Sequence, residues 1–368
     1  QVIPGDILTA DLTLTADLDA STHGGSALIV GADNIIIDGA GFTITVNGGN
    51  SGIQLHNHHG TTIKNLTIVS SVAGQGVGVN INNSSNNVIQ DNTLNNLNIG
   101  IYTAGNNSNN MINNNDINNT SSAIGGHYTA INNGWSITGN DFLNSTNWAV
   151  YYRGTPVEIS GNDFTGSAHG LNLESVAATA ASPFVMTWQG AASGPNQNTF
   201  GGHIGQLFQF SSCNYIDVSG WDISSLFTSP AGKTAISLNG GSGLRFADNN
   251  FSGLGVGIYT DNTSYYHEIS GNDFSGTSSS LTTNPYHCNS VGWTITDNDM
   301  TNCSSWAMSY WGTPAEISGN DLTGSASGIN LRGANFPSSN PFVMTWQGAG
   351  SGPNQNTFGG HIGQLFQF

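Results

Sequence analysis

The sequence predicts an all-β fold in which short parallel strands wind into a three-sided solenoid, with about 22–26 residues in each coil. Eight short segments share one template: a large apolar anchor, Asn two positions before it, an apolar residue five before it, and a small or apolar residue seven after it. Successive anchors within each group of four are 22–26 residues apart, a period typical of one solenoid turn. The anchors are Leu94, Ile117, Phe142, Phe164, Phe251, Phe274, Met300 and Leu322.

The polar stretches between the apolar positions are too short for helices. Ser160 to Asp163 is one example, and its Gly and Asn tolerate the left-handed backbone of a tight bend. The flanking apolar residues therefore predict short inward-facing strands, stacked about 4.8 Å apart in successive coils. We expect the template asparagines to stack in the same way and to hydrogen-bond along the coil axis. These structural asparagines are Asn92, Asn115, Asn140, Asn162, Asn249, Asn272, Asn298 and Asn320.

This pattern resembles the right-handed, single-stranded parallel β-helix superfamily, which includes pectate lyases, tailspikes and NosD-type periplasmic proteins. The resemblance rests on Ile35 to Phe42 (IIIDGAGF) and on the Ile-Ser-Gly-Asn-Asp-Phe corners, and it extends from about residue 35 to the C-terminus. It implies the fold. The superfamily includes lyases, hydrolases, epimerases and adhesins, so function has to be argued from a site.

A second repeat is much longer. Residues 182–210 recur as residues 340–368, with two differences, Ser182/Asn340 and Ala192/Gly350. The sequence thus predicts an N-terminal cap with the first coils over 1–53, a β-helix unit over 54–210 and its tandem duplicate over 211–368, in one continuous rod. The repeated stretch reflects either a recent duplication or a fixed role at each unit boundary. No polar cap follows the last repeat, so we expect the coil either to continue in a longer chain or to meet another molecule.

Composition limits the partners. Only 7% of residues are charged, five are basic, and the net charge is −17. Nucleic-acid binding is excluded because it depends on basic residues, and an anionic polysaccharide would be repelled unless cations bridged the charges. No segment is apolar enough to span a membrane, and the many Asn-x-Ser/Thr sequons favour an extracellular or cell-surface location. Cys213, Cys288 and Cys303 are expected to be buried thiols, with a Cys288–Cys303 disulfide as the alternative.

The sequence contains no recognisable catalytic constellation, so no catalytic residue is assigned. The Gly-His-Gly and Arg-Ile-Lys motifs of polygalacturonase-type relatives are absent, and the basic residues are scattered. Aspartates beside the template asparagines could bridge Ca²⁺ between coils, but a solvated turn role is favoured, so no cofactor is expected. The calcium candidates are Asp141, Asp163, Asp299 and Asp321.

One strand of each coil predicts an aromatic surface. If Ala149 and Ala307 face inward, alternation along the strand turns the aromatic residues near them outward. Such residues could stack on sugar rings, pack against another copy of the chain, or be covered by loops. The candidates for glycan binding or self-association are Tyr102, Trp148, Tyr152, Tyr259, Trp306 and Tyr310.

The function favoured by the sequence is structural: an exported repeat unit of a filament, surface layer or adhesin stalk that associates with itself. Nearly equivalent units and the lack of catalytic residues favour this hypothesis. A polysaccharide lyase or hydrolase and a non-catalytic glycan-binding module are the alternatives.

Overall fold

The computed structural model describes residues 2–186, 197–333, 342, 344, 355–361 and 363–368. The chain forms two compact units: unit 1 is Gln1–Val176 with Gly194–His203, and unit 2 is Ala177–Ser193 with Ile204–Phe368. In each unit, parallel strands stack as the coils of a β-solenoid. Helix in the described residues is limited to one 3₁₀ turn, Ser224–Leu226. None of the described segments forms a helix long and apolar enough to cross a bilayer.

Unit 1 contains strands β1 to β22. They are β1 (Asp6–Leu8), β2 (Leu12–Thr13), β3 (Leu18–Asp19), β4 (Leu28–Val30), β5 (Ile36–Asp38), β6 (Thr43–Val46), β7 (Ser51–His56), β8 (Thr62–Lys64), β9 (Thr67–Ser70), β10 (Val77–Asn82), β11 (Val88–Gln90), β12 (Thr93–Asn95), β13 (Ile99–Ala104), β14 (Asn106–Ser108), β15 (Met111–Asn113), β16 (Asp116–Asn118), β17 (Ser122–Gly126), β18 (Ile131–Asn133), β19 (Ser136–Thr138), β20 (Trp148–Arg153), β21 (Glu158–Ser160) and β22 (His169–Glu174).

Three parallel sheets make the three sides of unit 1. Face A follows the order β1-β4-β7-β10-β13-β17-β20-β22, face B the order β2-β5-β8-β11-β15-β19-β21, and face C the order β3-β6-β9-β12-β16. The small β14-β18 sheet lies outside these three sides.

Unit 2 contains strands β23 to β36. They are β23 (Phe184–Val185), β24 (Phe208–Asn214), β25 (Ile216–Ser219), β26 (Thr234–Ser242), β27 (Arg245–Ala247), β28 (Val256–Asn262), β29 (Glu268–Ser270), β30 (Ser279–Thr283), β31 (Ser290–Val291), β32 (Thr294–Thr296), β33 (Trp306–Thr313), β34 (Glu316–Ser318), β35 (Ser327–Arg332) and β36 (Phe366–Gln367). Face A of unit 2 is β24-β26-β28-β30-β33-β35-β36, and face B is β23-β25-β27-β29-β32-β34. Its third side is a series of single parallel bridges that runs from Asp222 through Asn250 and Asp273 to Asp299, Asp321 and Thr357.

The core of each unit consists of equivalent apolar residues piled on one another. In unit 1, Ile89, Ile112, Ile137 and Ile159 occupy the same place in consecutive strands of face B. The first three are fully buried, and burying such a side chain contributes roughly 1.5–3 kcal/mol. The anchors pile up similarly: in unit 2, the rings of Phe251 and Phe274 stack with centroids 4.7 Å apart.

The asparagines form a continuous hydrogen-bonded ladder inside each unit. Asn140 is fully buried, and its side-chain amide donates to Oδ1 of Asn162 at 2.8 Å and to the Ile112 carbonyl at 2.9 Å. Its own Oδ1 accepts from the side-chain amide of Asn115 at 2.9 Å. In unit 2, Asn298 and Asn320 make the same contact at 2.8 Å. Because each amide both donates and accepts, these buried polar groups are satisfied without water.

The first part of unit 1 ends at Val176, inside a coil in which 36 residues separate the ladder asparagines Asn162 and Asn198. Within that coil, the segment Ala177–Ser193 belongs to unit 2 and the segment Gly194–His203 belongs to unit 1. Asn198 and Phe200 extend the ladder and the aromatic column of unit 1, because Asn198 accepts from Asn162 and Phe200 stacks on Phe164. In contrast, β23 pairs with β25 of unit 2.

Candidate functional site

Many of the partly exposed aromatic residues in the described part of the chain lie on face A. Trp148 and Trp306 stand at the first position of their strands, where the chain turns a corner into face A. At this corner the small residue and the residue after it both point inward, as Ala149 and Val150 do in unit 1. The alternation therefore resumes one position later than expected, so that Tyr151 faces outward and Tyr152 inward. The prediction that Tyr152 and Tyr310 are surface residues is wrong: they are 0% and 1% exposed.

The two misplaced tyrosines pack edge-on against buried tryptophans. Tyr152 lies 6.0 Å from Trp135, and Tyr310 lies 5.5 Å from Trp293, measured between ring centroids. Burial raises the pKa of both hydroxyls. These residues are part of the core and cannot contact a glycan.

The other four aromatic candidates, Tyr102, Trp148, Tyr259 and Trp306, are partly exposed on the outer side of face A. In unit 1, Tyr102 lies beside Asn80 of the preceding coil. In unit 2, the Tyr259 hydroxyl lies 3.4 Å from Oδ1 of Asp261, which also accepts from Asn284. Their role in glycan binding or self-association stays a prediction.

Two adjacent coils of unit 1 assemble the densest group of functional side chains on this face. The parallel register places Trp148, Tyr151 and Arg153 of β20 directly beside His169, Asn172 and Glu174 of β22. We call these six residues the unit 1 cluster. Tyr151 and Arg153 are two positions apart, as are Asn172 and Glu174, so each pair shares a face of the sheet. Trp148 and His169 reach the same side from the other side of the two successive residues that point inward.

Aromatic and charged contacts fix the geometry of the unit 1 cluster. The rings of Trp148 and His169 pack against each other across two coils, with centroids 4.8 Å apart and planes inclined by 32°. At the other end, the Tyr151 hydroxyl donates to Oε2 of Glu174 at 2.5 Å. Nε of Arg153 lies 3.4 Å from the second oxygen, Oε1, of the same carboxylate.

The electrostatics of this end are internally balanced. Burial, and then the hydrogen bond and charge of Glu174, raise the pKa of Tyr151 to about 12. Tyr151 therefore keeps its proton at neutral pH and acts as a hydrogen-bond donor. Arg153 compensates the charge of Glu174, and it also donates through Nη1 to the Tyr128 carbonyl.

Between the rings of Trp148 and His169 and this ion pair lies a hydrogen-bond acceptor without a described partner, Oδ1 of Asn172. Asn172 is only 8% exposed, and its Oδ1 has no hydrogen-bond partner in the described part of the chain. A buried carbonyl oxygen without a donor costs about 1–3 kcal/mol, so such atoms are rare in proteins and call for an explanation. Oδ1 of Asn80, beside Tyr102 in the same unit, is also buried without a partner.

Four members of this cluster were not predicted from the sequence: Tyr151, His169, Asn172 and Glu174. Strand partners in the cluster are 21 positions apart in the chain, and only the register of face A brings them together. One available signal was Asn172, which recurs as Asn330 at the 158-residue offset. A side chain retained on the outer side of both units pointed to a role beyond packing.

The aspartates proposed for calcium follow the corners of the coils. Asp116, Asp141 and Asp163 pair in consecutive coils of unit 1, and burial together with the charges of Asp163 and Asp116 raises the pKa of Asp141. The Asp163 carboxylate accepts the backbone N–H of Thr165, as expected for a turn residue. Within the described segments, no group of three or more His, Cys, Asp or Glu residues is arranged to hold a metal ion. Calcium binding stays a prediction.

The three cysteines are all buried, and Cys288 and Cys303 are free thiols. Cys288 donates to the Thr260 carbonyl, and Cys303 lies 3.3 Å from the Thr277 hydroxyl. Neither contact involves another sulfur, so both thiols are packed in separate polar surroundings.

Comparison with known proteins supports the fold assignment. The model of the family described as rhamnogalacturonase A/epimerase, pectate lyase-like, matches residues 8–151. No curated protein matches the amino-acid sequence.

Several solved structures are similar at low identity. A DFA-IIIase from Arthrobacter chlorophenolicus A6 in complex with GF2 is 11% identical over 79% of this chain and 70% of its own, with a TM-score of 0.33. The tailspike of E. coli bacteriophage HK620 in complex with a pentasaccharide is 12% identical over 96% of this chain and 71% of its own, with a TM-score of 0.36. The A-module of an Azotobacter vinelandii mannuronan C-5 epimerase is 10% identical over 97% and 89%, with a TM-score of 0.33.

The family match covers the coils that carry Tyr102, Trp148 and Tyr151. The stacked parallel coils and their three-sided cross-section continue outside that match. Over residues 8–151 the chain is thus similar to this pectate lyase-like family, and its described residues have the fold of a parallel β-helix.

Proposed function

We propose that the unit 1 cluster binds a neutral glycan. The observation that carries this proposal is the buried Oδ1 of Asn172, which has no hydrogen-bond partner among the described residues. It lies between the rings of Trp148 and His169 on one side and the Tyr151, Arg153 and Glu174 side chains on the other. A sugar hydroxyl would supply the missing donor. Glycan sites commonly combine an aromatic surface with a few placed polar atoms.

The aromatic pair of Trp148 and His169 offers a contact for the apolar face of a pyranose ring. Both side chains are partly exposed, and their rings pack on each other across two coils. A sugar ring in contact with this pair would place its hydroxyl groups toward Asn172 and Tyr151.

The charge balance favours an uncharged sugar at this site. Glu174 is the carboxylate of the cluster, and it is engaged by both Arg153 and Tyr151. No excess positive charge is left to attract an acidic sugar. The match to a rhamnogalacturonase/epimerase family over residues 8–151 supports a carbohydrate ligand in general.

The same geometry favours binding over cleavage. Most glycosidases use two carboxylates, one to protonate the leaving group and one to activate water or attack the sugar. The unit 1 cluster contributes one, and the raised pKa of Tyr151 keeps its hydroxyl protonated at neutral pH, so that it does not act as a base there. We therefore propose recognition without turnover.

Retention on a panel of immobilised neutral glycans tests this function. Trp148→Ala should weaken retention of the bound glycan about tenfold, since contacts of one aromatic ring contribute about 0.5–1.5 kcal/mol beyond the area that they bury, and about 1.4 kcal/mol is tenfold in affinity. Tyr286→Ala is the matched control, because it removes an aromatic side chain that is 89% exposed in unit 2. Equal retention by wild type and Trp148→Ala would contradict the proposal, and release of reducing ends would replace it with a hydrolase.

Self-association is the second candidate, because the sequence predicts an exported structural repeat unit that forms filaments, surface layers or stalks. The partly exposed aromatic residues of face A would serve such contacts as well. Electron microscopy of the purified protein at micromolar concentration distinguishes the two candidates: ordered filaments or sheets support the structural role, and dispersed particles that bind glycan support recognition. We propose an extracellular location for either role.

A further inference from the structure

Unit 2 contains a second copy of the strands that carry the unit 1 cluster. Strands β33 and β35 pair in the same register as β20 and β22. The six residues of β33 and β35 that stand in the places of the unit 1 cluster are called the unit 2 cluster: Trp306, Ser309, Trp311, Ser327, Asn330 and Arg332. The tryptophan at the start of β33 and the asparagine in the middle of β35 are retained, whereas the residues at the other four places differ.

The two retained asparagines are equally buried but differ in their hydrogen bonds. Asn172 and Asn330 are each 8% exposed. Oδ1 of Asn172 has no partner among the described residues, whereas Oδ1 of Asn330 accepts a hydrogen bond from Nε of Arg332 at 3.0 Å. The acceptor that is available in unit 1 is therefore already used in unit 2.

The residue two positions after each asparagine causes this difference. Its side chain points to the same side of the sheet as the asparagine, because residues i and i+2 of a strand share a face. In unit 2 this residue is Arg332, which carries N–H donors and bonds to Asn330. In unit 1 it is Glu174, which accepts a hydrogen bond from the Tyr151 hydroxyl. An ionised carboxylate has no hydrogen to donate, so Glu174 cannot satisfy Oδ1 of Asn172.

The aromatic pair at the start of the two strands is also changed. In unit 1 the ring of His169 packs on the ring of Trp148. In unit 2 the residue of β35 that lies beside Trp306 is Ser327, which has no ring. A sugar above the unit 2 cluster would therefore meet one ring instead of two at this end, and beyond it a carbonyl oxygen that is already bonded.

We propose that only unit 1 binds glycan, and that Arg332 blocks the equivalent site of unit 2 by donating to Oδ1 of Asn330, the acceptor that a sugar would need. A sugar hydroxyl would have to displace a charged donor that belongs to the same strand, and hydrogen bonds from charged donors are roughly twice as strong as neutral ones. This inference rests on the proposed glycan-binding function and deepens it: Arg332 sets the number of glycans that one chain binds.

Calorimetric titration of the full chain tests the inference, because it measures the number of binding sites together with the affinity. The probes are soluble oligomers of glucose, mannose and xylose, the neutral sugars of the immobilised panel. The wild type should bind one oligomer per chain. Asn172→Ala should weaken binding about tenfold, because it removes the acceptor. Asn330→Ala is the matched control, with the same exposure in the wild type, and it should leave affinity and stoichiometry unchanged.

Copying the unit 1 residues into unit 2 should create a second site. The variant combines the exchanges at the four places where the two clusters differ: Arg332→Glu, Trp311→Arg, Ser327→His and Ser309→Tyr. It should bind two oligomers per chain. Lys233→Glu is the control for charge, because it makes the same change as Arg332→Glu at a position of unit 2 outside the cluster. This control should still bind one oligomer.

The reverse exchange should block the site of unit 1. Glu174→Arg combined with Arg153→Trp gives unit 1 the pair of residues that unit 2 has at these two places. The introduced guanidinium should donate to Oδ1 of Asn172, so binding should weaken at least about tenfold. Thermal unfolding verifies that each variant is folded, and this exchange tests the inference even where the four-residue variant does not fold.

The inference and the proposed function can fail separately. Two oligomers bound per wild-type chain, or a folded four-residue variant that still binds one, would overturn the inference and leave the proposed function standing. Undiminished binding by the folded variant with Glu174→Arg and Arg153→Trp would overturn it as well. If none of the neutral glycans binds to the wild type, the proposed function itself is wrong.

Discussion

The side-chain amide of Asn162 donates to Oδ1 of Asn198 at 3.0 Å, although the two residues are 36 positions apart in the chain. The other steps of the same ladder span 22–25 residues. The hydrogen bond between successive ladder residues is thus kept across a coil that is more than ten residues longer than its neighbours. Asn320 and Asn356 repeat the relationship in unit 2, also at 3.0 Å and 36 positions. The extra residues lengthen the coil, but the buried asparagine at its corner still stacks on the asparagine of the preceding coil.

Replacing a ladder asparagine should be strongly destabilising. Asn140→Ala removes the three hydrogen bonds that the side-chain amide donates and the two that its Oδ1 accepts, which leaves the buried backbone N–H of Asn115 without the acceptor that it has in the wild type. We expect the free energy of unfolding to fall by about 3 kcal/mol, because each unsatisfied buried group costs about 1–3 kcal/mol. Urea unfolding measures the loss. Asn98→Ala, at an exposed position, is the control and should change stability by less than about 0.5 kcal/mol.

Two glycines in face A strands should differ in their response to alanine. A Cβ on Gly100 would lie 2.2 Å from Ile117 Cγ2 and 2.7 Å from the Ala123 carbonyl oxygen. Gly100→Ala is therefore expected to cost about 1–3 kcal/mol through overpacking. A Cβ on Gly125 would meet nothing closer than 3.4 Å, so Gly125→Ala should be nearly neutral. Similar urea midpoints for the two variants would show that the corner can relax.

Stability should decrease on acidification through His203. Its imidazole is fully buried, and Nδ1–H donates to the Ser167 carbonyl at 2.7 Å, which leaves Nε2 without a partner. Burial lowers the pKa of His203 from 6.5 to about 4. Between these two values the unfolded chain binds a proton that the folded chain does not, so the free energy of unfolding falls as the pH falls through this window, by at most about 1.4 kcal/mol per pH unit.

Thermal unfolding of wild type and His203→Asn between pH 7 and about pH 4 measures this effect. Asparagine can keep the bond to the Ser167 carbonyl but cannot titrate, so the variant should lose less stability on acidification. His127→Asn removes an exposed imidazole and serves as the control. Parallel stability curves for wild type and His203→Asn would exclude His203 as the source.

The pKa of Tyr151 should depend only in part on Glu174. Glu174→Gln keeps an oxygen acceptor near the hydroxyl but removes the negative charge. We expect the pKa to fall from about 12 toward 10 without reaching it, because burial is the larger cause and remains. Carbon-13 NMR of labelled tyrosine reports the titration, and Tyr151→Phe assigns its signal. A pKa that does not change in Glu174→Gln would show that the carboxylate does not interact with the hydroxyl.

Much of the fold could be predicted from the residues themselves, since every coil repeats the same small set of requirements. A buried corner needs an amide that donates and accepts, which Asn140 provides, and an inward strand position needs an apolar side chain such as Ile137. The spacing of such residues indicates a parallel β-helix because equivalent residues of successive coils lie directly above one another. The duplication of unit 1 in unit 2 is equally visible in the sequence.

Only the tertiary structure decided which side chains share a surface. Alternation from Ala149 placed Tyr152 outside, but two successive inward residues at the corner reverse the phase, and Tyr152 packs on Trp135. Likewise, Tyr151 meets Glu174 only because the register sets β20 beside β22, and no local pattern encodes a contact across 23 residues. The sequence therefore determined the coil and its ladder, which depend on local repeats, whereas the site depends on how neighbouring coils are aligned.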